Sequence, residues 1–273
     1  MTLTSGLPVT TSDISAATTV YYTPFRNNLV RLWNGLQWQT VEFSETSLAL
    51  GTLTSGLPYD VFGYLSSGNL ALEMLAWAST SARATAISYQ DGRLCKTGDK
   101  SRLYLGTFFT TSTTQTADSE SNRFLWNMYN RISRCILARD TTDSYVYSTA
   151  TFRSANNNNS NGAGRVALMV GFAEEYVQVQ RYQVFANDTA TTVAFSGIGI
   201  DSITVNSAQF GVQTQVPSAN FLAIAFAFYR GILSAGHHFI QQLEMAAGAG
   251  VTTWYGDAGD ANRQSGMMVD INM

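Results

Sequence analysis

Asn34-Gly35 stands between two short apolar-rich runs in the octet Arg31-Leu32-Trp33-Asn34-Gly35-Leu36-Gln37-Trp38. This dipeptide is the strongest short-range signal for a two-residue β-hairpin. A type I′ turn there pairs Trp33 with Leu36 and Arg31 with Trp38, and side-chain alternation puts all four on one face. Two tryptophans beside a guanidinium make either a packed hairpin surface with a cation–π contact or an aromatic platform for a sugar. The packed surface is the favoured reading, because buried aromatic pairs are ordinary in sheets.

Short runs of this kind recur along the first half, at 19–23, 29–33, 36–43, 59–65 and 70–77, and they predict an all-β chain. Ser66-Ser67-Gly68-Asn69 joins the last two as a second hairpin. Residues 44–50 start on a capping-type serine with helix-compatible spacing and predict one helical turn at most. A further pair of β-rich runs lies between Arg93 and Thr111. In 123–132, Phe124, Met128 and Ile132 fit a helix while Phe124, Trp126 and Met128 alternate; a strand ending near Asn130 is favoured. The heptapeptide TLTSGLP occurs at 2–8 and again at 52–58. The residues after each copy share no hydrophobic pattern, so it reads as one local turn used twice rather than a structural repeat.

The polar stretch Asp140-Thr141-Thr142-Asp143-Ser144 has no apolar periodicity and marks a boundary between two β domains, 1–139 and 140–273. Residues 154–164 (SANNNNSNGAG) read as a low-complexity exposed loop, with Asn156, Asn157, Asn158 and Asn159 as a candidate ligand-contacting tip. Beyond it, 165–170 and 175–185 read as strands. In 221–229, one face carries Leu222, Ile224, Phe226 and Phe228 and the other carries Ala223, Ala225 and Ala227. The large face is expected to fill a sandwich core. The alanine face admits close approach of a second sheet or subunit, and Ala223, Ala225 and Ala227 are the expected oligomer interface. A jelly roll or related sandwich is the expected architecture of the C-terminal half.

Chemistry is harder to find. Charged residues are 13% of the 273, and residues 1–139 carry 11 basic against 9 acidic groups while 140–273 carry 5 against 10. Neither half has the basic excess that phosphate-backbone binding needs, so nucleic acid is not an expected partner. Cys95 and Cys135 form no CxxC and are expected free and buried, a single disulfide being the alternative. The two histidines, His237 and His238, are adjacent and face apart in a strand, which leaves no nucleophile–base pair; no Gly-rich phosphate loop is present. Glu174 with Glu175, Glu42 with Glu45, and Asp257 with Asp260 are the only close acids, a weak basis for glycosidase or calcium chemistry. No cofactor, metal or catalytic residue is expected. The N-terminus lacks a basic start and an apolar core, so no signal peptide is read, and no run is long enough for a membrane helix.

Several stretches together resemble a module of tailed-bacteriophage virion proteins, the fibre and appendage class. They are TLTSGLPVTTSDISAATTVYYTP, the hairpin with Trp38, FSETSLALGTLTSGLPYDVFGY, DGRLCKTGDKSRLYLGTFFTT and ADSESNRFLWNMYNR. FYRGILSAGHHFIQQLEM, TTWYGD and SGMMVDI look like the trimerising β-sandwich that often follows. The resemblance implies a non-enzymatic virion protein, assembled in the host cytoplasm and released by lysis. It would form a homotrimer, with other virion proteins of tail or capsid and a host surface glycan or protein as partners. A short tail fibre or appendage subunit is the expected role. A capsid decoration (cement or head-fibre) protein is the alternative, and a polysaccharide depolymerase using Glu174 or Glu175 is the remote one.

Overall fold

The computed structural model describes residues 1–260 and 263–273. These are strands and turns, with a 3-10 turn at Ala155–Asn157. Eight strands in chain order, Ser133–Arg139, Arg165–Val170, Tyr176–Asn187, Val193–Ile200, Thr214–Gln215, Ala223–Ile232, Gly236–Ala246 and Gly266–Asn272, make two antiparallel sheets. The first sheet has the order first, eighth, third, sixth; the second has the order second, seventh, fourth, fifth. All links but one cross between the sheets, which is the strand order of a jelly roll. Period-2 patterning sets the faces: in Tyr176–Asn187, Val177, Val179, Arg181, Gln183 and Phe185 point inward. The core between the sheets is built from Val166, Leu168, Val179, Ile198, Ile240 and Val269.

Most of the N-terminal residues form a second unit. Its sheet has the spatial order Asn69–Ala76, Pro58–Ser66, Asp99–Phe109, Arg93–Lys96, Ile87–Gln90, with Leu125–Asn127 paired to the C-terminal half of Asp99–Phe109. The hairpin Leu29–Trp33/Trp38–Glu42 and the pair Thr19–Tyr22/Thr46–Ala49 pack their apolar sides into the same core, through Val20, Leu32, Val41, Val61 and Leu105. Two-stranded pairs are marginal alone, so these depend on that shared burial.

Four local expectations are corrected. Trp33 pairs with Trp38 and Arg31 with Thr40, so the first hairpin has a four-residue loop, Asn34 to Gln37. The Asn34 Oδ1 accepts from the amides of Leu36 and Gln37 at 3.0 and 2.9 Å, an Asx turn that replaces the two-residue I′ turn. Residues 44–50 hold the strand Thr46–Ala49, because pairing with Thr19–Tyr22 supplies partners that one isolated helical turn lacks. The 123–132 segment is split into Asn122–Arg123 and Leu125–Asn127, which serve different sheets. The boundary is not at 140: Ser133–Arg139 pairs along its length with Gly266–Asn272 and is the first jelly-roll strand. Asp140–Ser144 lacks periodicity because it is a loop of that unit, with Asp140 buried and its Oδ1 accepting from Thr142 N at 3.0 Å. Ile14–Ala17, Thr116–Asp118 and Asn122–Arg123 also extend the jelly-roll sheet beyond Arg165–Val170. The hairpin at Ser66–Asn69 is as expected, with Ser67 and Gly68 both at positive φ.

The two units meet through aromatic and polar contacts. His237 stacks on Phe109 with centroids 4.2 Å apart and tilts against Phe124, while its amide donates to Thr80 O at 2.9 Å. Burial, aided by the neighbouring His238, lowers the His237 pKa to about 4. A base whose folded pKa lies below its unfolded value stabilises the fold above the unfolded pKa and loses that contribution as pH falls toward the folded one. Between pH 7 and pH 5 this amounts to about 2 kcal/mol. Urea titrations of wild type and His237→Phe, which keeps the stack, should show the variant losing less stability over that interval by about this amount; parallel losses would refute the assignment.

Candidate functional site

The sixth jelly-roll strand, Ala223–Ile232, decides what the molecule presents to its surroundings. Ala225 and Ala227 are 0% exposed and Ala223 is nearly so. They face the interior of the same chain: Ala223 and Ala225 pack with Phe185 and Trp254 of their own sheet and with Ala194 of the opposite one, and Ala227 lies in the cluster of Val179, Ile198 and Ile240. The expected oligomer interface at Ala223, Ala225 and Ala227 is therefore corrected: small residues stand there because bulky side chains from other strands fill the space above them. The large face is turned outward. Ile224 is 58% exposed and Phe210, paired with Phe228 on the neighbouring short strand Phe210–Val212, is 69% exposed. Tyr182 lies against Phe226 at 5.1 Å between ring centroids, and Phe210 against Phe228 at 6.0 Å. Leu222 and Phe221 extend the patch at one end, and Tyr176 and Ile232 at the other, where the exposed Arg230 lies between Phe228 and Ile232 with its guanidinium 4.8 Å from the Tyr176 ring centroid.

A monomer rarely leaves so much apolar surface together. At about 200 Å² per large side chain, seven such residues near half exposure leave on the order of 700 Å². The usual largest patch on a monomer is about 300–600 Å², and a stable interface takes about 800 Å² from each partner.

The asparagine run is built into the fold. Asn156 N donates to Glu244 Oε1 at 3.2 Å and its Nδ2 to Thr142 Oγ1 at 2.7 Å. Asn158 O accepts from Gln241 Nε2 at 2.9 Å, and Asn159 Oδ1 from Ser154 Oγ at 2.6 Å. Asn157 and Asn159 are exposed, and Asn156 and Asn157 take the left-handed backbone that Asn tolerates. The run packs on Gly236–Ala246 rather than standing off as a free tip.

The remaining candidates are engaged in structural contacts. Trp33 and Trp38 meet edge-on at 5.6 Å; Lys100 lies 4.9 Å from the Trp33 centroid and Arg93 5.1 Å from that of Trp38. The cations thus come from other strands and not from Arg31. Glu174 and Glu175 both bind Arg131, the latter at 2.8 Å. Glu42 accepts from Asn28, and Glu45 accepts from Ser5, Gly6 and Thr23, which hold its carboxyl below the usual range. Asp257 Oδ1 accepts from Gly259 N, and Asp260 N donates to Asp257 O. Among the described residues no three metal-ligating side chains gather. Cys95 and Cys135 are free thiols in different sheets; Cys95 is buried, which pushes its pKa up to about 11, whereas Cys135 is exposed, contrary to expectation. His238 faces away from His237: its Nδ1 lies 2.7 Å from Asp201 Oδ2 and its Nε2 2.8 Å from Ser234 O.

No family model matches the sequence, and no curated protein matches it either. Among solved structures, dimeric latent PorU from Porphyromonas gingivalis is similar with TM-score 0.31 and 9% identity over 78% of this chain and 21% of that one. The insecticidal delta-endotoxin Cry8Ea1 from Bacillus thuringiensis is similar with TM-score 0.29 and 9% identity over 93% and 48%. The VP2 subviral particle of infectious bursal disease virus is similar with TM-score 0.16 and 11% identity over 98% and 81%. This chain spans half or less of the first three structures it resembles. Strand order makes the C-terminal unit a jelly roll.

Proposed function

We propose that the chain is a non-enzymatic structural subunit of a phage virion, a short appendage protein that assembles as a homotrimer. The observation that carries this reading is the apolar outer face of the first–eighth–third–sixth sheet, centred on Ile224, Phe226, Phe228 and Phe210. A second copy of this chain is the occupant argued for, because the exposed area matches what one partner of a stable interface contributes. The resemblance to virion appendage proteins supplies the setting. Assembly in several copies makes weak single contacts effective through local concentration. The N-terminal unit remains free to meet other virion proteins or a host surface.

Sedimentation equilibrium of the wild type at micromolar concentration should give three times the chain mass. Ile224→Asp puts a charge on the outer face without touching the core, and should give monomer with an unchanged far-ultraviolet spectrum. A monomeric wild type, or a trimer indifferent to Ile224→Asp, would overturn the assembly reading. Absence of the chain from purified particles of the encoding phage would overturn the virion reading.

A further inference from the structure

The N-terminal unit contains a groove of about 290 Å³ beside the first hairpin. The stacked pair Tyr22 and Phe43, with centroids 5.1 Å apart, lines it. Phe25 and Tyr129 also line it, with the Arg26 guanidinium 5.7 Å from the Phe25 ring centroid. Three arginines, Arg26, Arg31 and Arg93, line it, and no aspartate or glutamate does. Arg26 comes from the turn after Thr19–Tyr22, Arg31 from the hairpin and Arg93 from the strand Arg93–Lys96 of the adjoining sheet.

These cations differ from most of the others. Arg83, Arg102, Arg123, Arg131, Arg134, Arg139 and Arg153 each meet a carboxylate. Among the described residues the side chains of Arg26, Arg31 and Arg93 have no ion pair and donate no hydrogen bond, and the Asn130 side-chain amide beside them is equally unengaged. The Arg93 Nε is buried with no acceptor, although its guanidinium is held in place over Trp38. A buried donor without a partner costs stability unless a ligand satisfies it.

The geometry points to a binding site for a carboxylate-bearing saccharide. Guanidinium groups accept a carboxylate through paired N–H donors. The Asn130 amide offers donors and an acceptor and the Asn27 Nδ2 further donors, the Asn27 Oδ1 already accepting from Leu29 N at 3.0 Å; this suits hydroxyl groups. The flat rings of Phe25 and Tyr129 cover the apolar C–H face of a sugar ring, and the volume lies at the lower end for small-ligand sites. An acidic peptide would engage the arginines but leaves the paired amide and ring surfaces without a matching partner. The site extends the multivalent-contact reading, yet no residue of the groove belongs to the jelly-roll outer face.

The test is isothermal calorimetry of the full chain with sialyllactose against lactose and with digalacturonate against galactobiose. The expected result is that one acidic saccharide binds at least about tenfold tighter than its neutral counterpart, and that Arg31→Gln weakens it by about tenfold or more. The pair that responds distinguishes a sialic from a uronic acid. Arg31 is exposed, so Arg31→Gln leaves the fold intact. Equal affinity for the neutral sugar, no binding of any saccharide, or indifference to both Arg31→Gln and Arg26→Gln overturns the site. Binding of a glutamate-rich peptide in place of the saccharides overturns it also, and assigns the groove to a protein partner. The Ile224→Asp protein should bind as the wild type does, which keeps failure of the trimer separate from failure of this site.

Discussion

Arg83→Ala is expected to lower the free energy of unfolding by about 3–5 kcal/mol, the usual consequence of removing one member of a buried ion pair. Arg83 Nε donates to Asp60 Oδ2 at 2.7 Å, and Nη2 reaches Asp60 Oδ1 at 3.3 Å. The same Nη2 donates to the carbonyl of Gly171 in the jelly-roll unit, so one guanidinium ties the two units together. The Asp60 side chain is 2% exposed, with Thr107 Oγ1 donating to it at 2.7 Å. Burial holds the Asp60 pKa above the usual carboxylate range even with Arg83 opposing it. Without Arg83 that rise grows, and a carboxyl raised above its unfolded value costs stability as pH climbs through the folded value. The loss in Arg83→Ala should therefore shrink when urea unfolding is repeated at mildly acidic pH. A loss below about 1 kcal/mol at pH 7, or one that does not shrink, would show that the pair is no more than a surface bridge.

The sheet class and most strands were legible because they depend on neighbours in sequence. Ser67 and Gly68 both accept positive φ, and a two-residue turn follows. At Asn34 the same reasoning failed because the side chain competes for the turn amides, which a dipeptide rule does not weigh. In 221–229 alternation correctly separated two faces, but both are apolar, and period alone cannot say which is inside. Phe185 and Trp254 decide it, and they come from strands dozens of residues away. The arginine groove was illegible for the same reason. Arg26, Arg31, Arg93 and Tyr129 share no motif, and only the folded arrangement shows that three cations converge where no acid follows.

The second large effect is expected inside the jelly roll, where Arg181 and Glu244 are each 0% exposed. Arg181 donates to Ser196 Oγ at 2.6 Å, to Gln183 Oε1 at 2.6 Å and to the carbonyl of Leu243, all neutral acceptors. Burial pulls its pKa down, and Tyr145 and Glu244 oppose that. Glu244 in turn accepts from Tyr145 Oη at 2.6 Å, Arg153 at 2.9 Å and the amide of Asn156 at 3.2 Å, while burial pushes its own pKa up. Glu244→Ala removes the carboxylate that accepts from Tyr145, Arg153 and Asn156 and strands those donors, with an expected loss of about 3–5 kcal/mol. Arg181→Met removes a charge that no carboxylate touches directly, and is expected to cost less, about 1–2 kcal/mol, from the acceptors it leaves. The two side chains share a low-dielectric interior, so their effects should not add. With Arg181 already methionine, Glu244→Ala no longer abandons a buried guanidinium, and the double variant should be more stable than the sum of the singles by at least about 1 kcal/mol. Hydrogen exchange should also show the Asn156 amide losing protection in both variants that lack Glu244, because its acceptor is gone. Additivity within about 0.5 kcal/mol would mean that Arg181 is held by its neutral acceptors alone.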